Sequence, residues 1–340
     1  MKAMVLEKYG APLVLREIEV PRIGDGEVLV KVKGAGICGT DIKIQEGRVP
    51  TKSLPLVPGH EISGEVVALG RDVRDFQIGD EIVVSFYISC GTCRFCKSGR
   101  NTICQNLEGR IGFERDGGFA EYVAVPEGCL VRKPPSLSFV EAAVVSDAIA
   151  TCYHALVRRA QVTEGDWVVM IGGGGGLGLH AIQIAKLLGA KVIGIDLMEE
   201  KLRLMRELGA DFVLDGNRDS WTNEVYQCTD GAEVDHVIDF VCSEQSISKG
   251  MEILGRGGRL VLVAYGPKIK VDTLKAHLFE IDVLGTRAAT KEEISECLSL
   301  VAQGRLRPII GKVLELEEIN YAFQLLRDNK VNGRIGVIVS

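Results

Sequence analysis

The segment VVMIGGGGGLG, residues 168–178, decides the fold class of this chain. An apolar run leads into five consecutive glycines, and the following residues 179–186, LHAIQIAK, have the apolar spacing of a helix. A strand, a glycine-rich turn and a helix form the context that a G-x-G-x-x-G motif needs, with Gly173, Gly175 and Gly178 as its glycines. A flexible linker would place such glycines in a polar tract rather than between two periodic elements. The segment therefore predicts an α/β fold with a doubly wound parallel sheet that binds a dinucleotide.

The turn itself suits a pyrophosphate group. Backbone without side chains lets phosphate oxygens come close, and the N-terminus of the following helix supplies free N–H groups and a partial positive charge. The residues expected to contact the cofactor here are Gly173, Gly175, Gly176, Leu177 and Gly178.

Asp196 ends the next apolar strand, KVIGI at residues 191–195. A carboxylate at this place accepts hydrogen bonds from ribose hydroxyls and repels a 2′-phosphate. Residues 197–200, LMEE, contain no Arg that would favour that phosphate. The sequence therefore predicts NAD rather than NADP as the cofactor, and capping of the next helix is a compatible second role for Asp196.

Length, charge and cysteine content narrow the class of protein. The 340 residues fit two domains, and the net charge of −6, spread without runs, argues against nucleic acid or an anionic membrane as a partner. The first residues, MKAMVLEK, lack the apolar stretch of a signal peptide, and no segment is expected to be long enough to span a bilayer, so we expect a cytoplasmic protein. Ten cysteines in such a chain favour metal binding over disulfides.

Four of these cysteines have the spacing of a closed thiolate site. They are Cys90, Cys93, Cys96 and Cys104. The same loop carries Arg94, Lys97 and Arg100 and no acidic residue, which favours thiolates and offsets their charge. An iron–sulfur cluster is the alternative, but its usual run has a shorter last spacer followed by Pro, whereas here seven residues separate the last two cysteines and Gln105 follows. The lobe at residues 90–104 therefore predicts a structural zinc ion.

The two halves of the chain differ in pattern. Residues 1–148 alternate short β-rich runs, such as 27–32 and 64–68, with Gly and Pro, which is typical of a partly closed antiparallel barrel. Residues 149–285 alternate helices with apolar strands, as a doubly wound sheet should. Beyond the glycine motif, these strands are expected at 234–240, 259–264 and 282–285.

Two further segments carry metal-ligand residue types, CGTD at residues 38–41 and GHE at residues 59–61. Each alone favours a metal only moderately, because a single buried Cys or His is usually a packed or satisfied core residue. These segments, the cysteine lobe and the glycine turn occur in the same order and at similar spacing in the zinc-dependent alcohol dehydrogenases of the medium-chain dehydrogenase/reductase superfamily. The chain resembles that family over essentially its whole length. The resemblance implies a GroES-like, mostly antiparallel β-barrel catalytic domain at 1–148 and 286–340, and a Rossmann domain at 149–285.

The resemblance also implies a catalytic zinc ion held by Cys38, His60 and a third ligand four residues before Thr151. That residue is Asp147, where many relatives have Cys and others have Asp or Glu. Glu61 resembles the family Glu that lies near the metal and can bind it when water leaves. From its spacing alone, Asp147 could instead be the N-cap of a helix over residues 148–157.

Other site residues follow from the same resemblance. Asp41 resembles the carboxylate that orients the ligating His, and Thr40 resembles the hydroxyl that hydrogen-bonds the bound alcohol. Where many relatives have a proton-accepting His, this chain has Lys43, which continues the relay only if its pKa is lowered and otherwise has a structural or phosphate-binding role. Phe86 matches a substrate-pocket aromatic or is a core residue.

Two cations match cofactor ligands of the family. Lys201 matches a ribose-binding Lys, and Arg334 matches an Arg that contacts the pyrophosphate.

The function implied is reversible oxidation of a small alcohol to an aldehyde or ketone by hydride transfer to NAD. It requires two zinc ions per chain, one catalytic and one structural, and relatives are homodimers or homotetramers. A polyol, sugar or hydroxy-acid dehydrogenase is an alternative within the family. A zinc-free enoyl or quinone reductase would lack the set Cys38, His60 and Asp147, and a non-catalytic dinucleotide-binding relative would have no use for it.

Overall fold

The computed structural model describes residues 1–268 and 270–340. The chain forms two compact units. The first consists of Met1–Asp147, Ala289–Gly304 and Ile310–Ser340, and the second of Ala148–Ala288 and Arg305–Ile309. The short segment Arg305–Ile309 therefore belongs to the second unit, whereas the sequence analysis placed it in the first.

Strands and helices are numbered along the described chain. The strands are β1 Lys2–Val5, β2 Val14–Glu17, β3 Glu27–Ile37, β4 Glu61–Leu69, β5 Glu81–Val84, β6 Tyr87–Ile88, β7 Gly109–Arg110, β8 Tyr122–Pro126, β9 Leu130–Arg132, β10 Trp167–Ile171, β11 Lys191–Asp196, β12 Phe212–Asp215, β13 Val234–Asp239, β14 Leu254–Leu262, β15 Asp282–Gly285, β16 Ile310–Glu315 and β17 Arg334–Ile338. The helices are α1 Gly39–Gln45, α2 Arg94–Lys97, α3 Phe139–Val144, α4 Ala150–Tyr153, α5 Gly178–Leu187, α6 Glu199–Glu207, α7 Trp221–Cys228, α8 Glu244–Ile253, α9 Thr273–Phe279, α10 Lys291–Ala302 and α11 Ile319–Arg327.

The first unit is built on a mostly antiparallel sheet. Its strand order is β16-β17-β3-β4-β5-β9, with β8 also paired to β3, and only β16 and β17 are parallel. Val28, Val30 and Val32 on β3 are fully buried and alternate with less buried neighbours, as the period of a strand requires. The predicted GroES-like, mostly antiparallel architecture is confirmed.

A long helical run begins at Phe139. Ser138 caps it: its hydroxyl accepts a hydrogen bond from the backbone N–H of Glu141, and the Glu141 carboxylate accepts one from the Ser138 N–H. The run continues through α4 and two π-helical segments, Val145–Ile149 and His154–Ala160. Asp147 therefore lies inside a helical run, and the alternative that it caps the start of a helix is wrong.

The run Phe139–Ala160 also corrects the expectation that no segment is long enough to span a bilayer. It has 22 residues and contains an 18-residue window with a mean hydropathy of 1.3, which suffices for a span by length and composition only. Within the structure, however, 78% of the apolar window is buried in protein. Polar residues such as Glu141 and Asp147 interrupt the apolar pattern, so the sequence alone does not predict a membrane span here.

The second unit contains a parallel sheet with the strand order β12-β11-β10-β13-β14-β15. The order reverses between β10 and β13, and in such sheets ligands bind at the carboxyl ends of the strands beside that point. The predicted doubly wound sheet is confirmed. The strand expected at 259–264 is longer and begins earlier, since β14 spans Leu254–Leu262 and is interrupted by an irregularity in its pairing with β13.

Close packing of the glycine turn explains the last glycine of the motif. A Cβ atom on Gly178 would lie 2.5 Å from the carbonyl oxygen of Gly173 and 2.6 Å from its Cα. Both neighbours are backbone atoms, so they cannot move without deforming the turn. Gly173 is similarly close to the Met205 sulfur, at 2.9 Å.

We expect Gly178→Ala to lower the free energy of unfolding by about 1–3 kcal/mol, because the added methyl group overpacks backbone against backbone. Urea unfolding measures this. Gly285→Ala is the matched control in the same unit, since a Cβ at Gly285 meets nothing within 4 Å, and its effect should stay within about 0.5 kcal/mol. Equal stability of the two variants would contradict the packing argument.

Candidate active site and metal centres

Four metal-ligand side chains meet in the core of the first unit. They belong to Cys38, His60, Glu61 and Asp147, all are buried, and one ligand atom from each lies within 4.8 Å of the others. The antiparallel pairing of β3 and β4 accounts for three of them, because it sets Gly36 opposite Glu61. A Cβ atom on Gly36 would overlap the Glu61 carboxylate, so this glycine provides the space that the carboxylate occupies.

Asp41 contacts two of the ligand residues. One oxygen of its carboxylate lies 3.1 Å from Nδ1 of His60, and the other accepts a hydrogen bond of 2.8 Å from the backbone N–H of Cys38. Because Nδ1 of His60 contacts Asp41, the other ring nitrogen, Nε2, faces the cluster and lies 4.0 Å from Oδ2 of Asp147. Burial lowers the pKa of His60, but Asp41 and Cys38 outweigh burial and raise this pKa well above its usual value. The arrangement matches the carboxylate–histidine pairs that support metal ligands.

Arg334 reaches the same cluster from the start of β17. Its Nη2 lies 2.6 Å from Oδ2 of Asp147 and 2.8 Å from Oε1 of Glu61, and its side chain is 6% exposed. The resemblance implied a pyrophosphate contact for this Arg, which stays a prediction. The structure instead gives Arg334 two buried carboxylate partners that the sequence analysis missed.

The cluster concentrates negative charge. Burial and the nearby Asp147 raise the pKa of Glu61 well above its usual value even though Arg334 opposes the shift. Burial also raises the pKa of the Cys38 thiol, but Arg334 and His60 outweigh it, and this pKa falls below its usual value. Arg334 is close enough to Glu61 for an ion pair, yet neither Glu61 oxygen has a hydrogen bond of good geometry within the described chain.

These features fit a divalent cation. With a divalent ion bound, a Cys38 thiolate and the carboxylates of Glu61 and Asp147 would carry three negative charges, which Arg334 and the ion would neutralise. The donor set of sulfur, imidazole nitrogen and carboxylate oxygen suits zinc. The Glu61 oxygens, which accept no hydrogen bond within the described chain, supply lone pairs that such an ion would satisfy.

Thr40 and Lys43 lie close to these ligands in the sequence. They are three residues apart on α1, share one face of that helix, and are both half-buried. The rings of Phe86 and Phe113 pack against His60, with ring-centroid distances of 5.0 and 5.1 Å. Both aromatic side chains are buried, so the core and pocket interpretations of Phe86 are compatible.

The four cysteines of the lobe also come together. Their sulfur atoms are 3.5 Å apart for Cys93 and Cys96, 3.9 Å for Cys93 and Cys104, and 3.4 Å for Cys90 and Cys104. Tetrahedral zinc with Zn–S bonds of about 2.3 Å separates its sulfurs by roughly 3.8 Å. Backbone N–H groups of Thr92 and Cys93 lower the pKa of Cys90 to about 6.

Cys96 shows the opposite shift. Desolvation and the neighbouring sulfurs raise its pKa to about 12. The isolated lobe therefore favours a thiolate at Cys90 and opposes one at Cys96. A cation at the centre would favour all four thiolates.

In the second unit, the glycine turn lies at the carboxyl end of β10, and α5 starts at Gly178. Within the part of the chain that the structure describes, the backbone N–H groups of Gly176, Leu177 and Gly178 donate to no protein group. Three consecutive free donors at a helix N-terminus form an anion site.

Asp196 and Lys201 pack against this turn. Oδ2 of Asp196 accepts a hydrogen bond of 3.0 Å from the Gly174 N–H, and Oδ1 accepts one of 2.8 Å from the Leu197 N–H. A Cβ on Gly174 would come within 2.5 Å of Lys201 Cβ. The N-cap of α6 is Met198, so the proposed second role of Asp196 as a helix cap is wrong.

Comparison with known proteins identifies the family of the chain. Residues 24–135 match the alcohol dehydrogenase GroES-like domain, and residues 176–303 match the zinc-binding dehydrogenase family. The chain belongs to the zinc-dependent alcohol dehydrogenase family of the medium-chain dehydrogenase/reductase superfamily.

Individual relatives match over the whole length. An NAD-dependent alcohol dehydrogenase of Sulfolobus acidocaldarius is 40% identical over 98% of both chains. The crystal structure of an NAD-dependent alcohol dehydrogenase superposes with a TM-score of 0.94 at 33% identity and covers 100% of both chains. An acryloyl-coenzyme A reductase of Metallosphaera sedula is 31% identical over 98% of this chain and 99% of its own.

We expect Arg334→Met to lower the free energy of unfolding by about 3–5 kcal/mol, because it leaves the carboxylates of Glu61 and Asp147 buried without their cation. Urea unfolding tests this. Arg71→Met is the control, since Arg71 pairs with Asp25 at the exposed surface and should cost less than about 1 kcal/mol. Adding Glu61→Gln to Arg334→Met should restore part of the loss. An Arg334→Met protein as stable as the control would refute the charge argument.

Proposed function

We propose that this protein catalyses the reversible oxidation of an alcohol to an aldehyde or ketone, with hydride transfer to NAD. The buried cluster of Cys38, His60, Glu61 and Asp147 carries the proposal, because four metal-ligand groups meet away from solvent and the Glu61 oxygens accept no hydrogen bond within the described chain. The NAD-dependent alcohol dehydrogenases among the relatives support the same reaction.

We propose two zinc ions per chain. Cys38, His60 and Asp147 would hold the catalytic ion, with Glu61 as a further donor. Cys90, Cys93, Cys96 and Cys104 would hold the structural ion, which four thiolates close off from substrate.

Several residues of the first unit have separate roles in the proposed reaction. When bound, the catalytic zinc supplies a Lewis acid for the alcohol oxygen. Asp41 fixes the His60 ring, and Arg334 holds the Asp147 carboxylate in place through its guanidinium contact. The Thr40 hydroxyl would accept the proton of the alcohol and pass it along the face of α1 toward Lys43 or solvent.

NAD, when bound, would supply the two-electron acceptor, taking a hydride from the carbinol carbon as the C–O bond becomes a carbonyl. The proton of the alcohol would leave through Thr40. Phe86 and Phe113 beside His60 make the surroundings apolar, which strengthens electrostatic effects at the reacting oxygen.

The acryloyl-coenzyme A reductases among the relatives support a second candidate, reduction of an activated C=C bond. Assays of alcohols, polyols and hydroxy acids with NAD, and of acryloyl-coenzyme A with NADH and NADPH, distinguish the two. We expect NADH formation from an alcohol and its loss after treatment with a zinc chelator. Chelator-resistant reduction of acryloyl-coenzyme A without alcohol oxidation would replace the proposal by the second candidate.

We further propose that the protein acts in the cytoplasm as a homodimer or homotetramer on a small alcohol or carbonyl compound. The dispersed net charge of −6 supports the absence of nucleic acid and membrane partners.

The third zinc ligand can be tested by two substitutions. Asp147→Asn should release the catalytic zinc and lower kcat by several orders of magnitude, because the neutral amide removes the charge that balances the cation. Asp147→Cys should retain zinc and part of the activity, since a thiolate keeps the charge and binds zinc well. Metal analysis and kcat are the measurements, with two zincs per chain expected for the parent. An active Asp147→Asn variant with two zincs would remove Asp147 from the site.

Cofactor choice depends on Asp196. Like-charge repulsion of about 1–3 kcal/mol between its carboxylate and a 2′-phosphate should make NAD the preferred cofactor. We expect Asp196→Ala to lower the ratio of kcat/KM with NAD to kcat/KM with NADP. Glu207→Ala, which removes an exposed charge from the same unit, should leave the preference unchanged. Equal efficiency of the parent with both cofactors would contradict the assignment.

A further inference from the structure

His180 is a buried polar residue that the proposed reaction does not use. It lies in the first turn of α5, and 1% of its surface is exposed. Its Nδ1 is 2.8 Å from the carbonyl oxygen of Gly176, and its Nε2 is 2.8 Å from the backbone nitrogen of Ile309. Because a backbone N–H can only donate, Nε2 is the acceptor, and in the neutral ring the proton is on Nδ1. His180 therefore donates a hydrogen bond to the Gly176 carbonyl.

This hydrogen bond controls the direction of a free N–H group. In a planar trans peptide the C=O and the next N–H point in opposite directions. Holding the Gly176 carbonyl toward His180 therefore directs the Leu177 N–H to the opposite side. That N–H is one of the three that donate to no group within the described chain.

The next peptide is held in the same way. The Leu177 carbonyl accepts from the Cys152 thiol at 3.1 Å and from the backbone N–H groups of His180 and Ala181. Fixing this carbonyl directs the Gly178 N–H away from the helix. Two successive N–H groups are thus oriented before any anion arrives.

The imidazole ring is itself anchored from its far side. Ile309 belongs to the segment Arg305–Ile309 of the same unit. Gln183, one turn further along α5, bonds the backbone of that segment at Arg307 through both its amide nitrogen and its amide oxygen. The segment Arg305–Ile309 therefore holds the His180 ring, and the ring holds the Gly176 carbonyl of the glycine turn.

We propose that His180 is a positioning residue for diphosphate binding, which orients the glycine turn so that its free N–H groups face the pyrophosphate of the dinucleotide. The proposal rests on the proposed function, because it takes the ligand of this turn to be NAD. Preorganised donors bind an anion more tightly than donors that must be ordered on binding.

The test compares ligands with and without the diphosphate. ADP-ribose and adenosine are each titrated into the full chain by calorimetry. His180→Ala should weaken ADP-ribose binding about tenfold, the equivalent of one ordinary hydrogen bond, and change adenosine binding less than twofold. If His180 only stabilised the fold, His180→Ala would weaken the binding of both ligands to the same extent.

Two further variants isolate the hydrogen bond to Gly176. His180→Asn keeps a donor near the position of Nδ1 and should restore most of the ADP-ribose affinity. His180→Leu fills much of the ring volume without polar atoms and should behave like His180→Ala, so either apolar variant that folds serves as the test. Lys186→Ala is the matched control on the same helix, because Lys186 bonds Ala190 and Asp211 rather than the turn or its anchor, and it should leave both affinities unchanged.

The outcomes separate the two proposals. Parent-like ADP-ribose affinity in His180→Ala or His180→Leu, or equal loss of ADP-ribose and adenosine affinity, would overturn the role of His180. A parent protein that binds neither ADP-ribose nor NAD would overturn the proposed function instead. KM for NAD should rise in the apolar variants while kcat at saturating NAD stays close to that of the parent.

Discussion

The burial of like charges beside one another is the constraint on which the first unit depends. Cys38, Glu61 and Asp147 bring acidic groups to within 4.8 Å of one another away from solvent. Such a cluster is stable only when cations and hydrogen-bond donors match it closely. Arg334 supplies one positive charge, and Asp41 holds the imidazole of His60. Gly36 has no side chain, and the space beside it holds the Glu61 carboxylate.

The second unit depends on backbone geometry rather than on buried side-chain charge. Its glycine turn presents backbone N–H groups rather than charged side chains to an anion, so anion binding there depends on the direction of the peptide dipoles. The charge of Asp196 has the separate proposed task of discriminating between the two cofactors. Asp196 accepts the N–H of Gly174 and thereby joins the end of β11 to the turn. One chain therefore contains a site built from side-chain charge and another built from backbone geometry.

The two kinds of site differ in how well sequence reveals them. The glycine turn and Asp196 are local patterns, so β10, α5 and β11 follow from about thirty consecutive residues. Cys38, His60 and Asp147 were named only through family resemblance, because no local period links them. The partners of Arg334 could not be predicted: it is 187 positions from Asp147 along the chain and arrives through the pairing of β17 with β3. The hydrogen bond of His180 to Gly176 depends on the ring tautomer, which Ile309 determines from a distant segment.

Asp147 also owes its direction to the π-helical segment Val145–Ile149 in which it lies. A π turn accommodates one residue more than an α turn, and π-helical segments recur at functional sites. Each residue of an α-helix rotates the side-chain direction by about 100°. A single-residue deletion here would therefore rotate the Asp147 carboxylate away from His60 while leaving α3 intact. The number of residues across these five positions therefore sets the direction of a metal-ligand group, independently of which side chains occupy the other four positions.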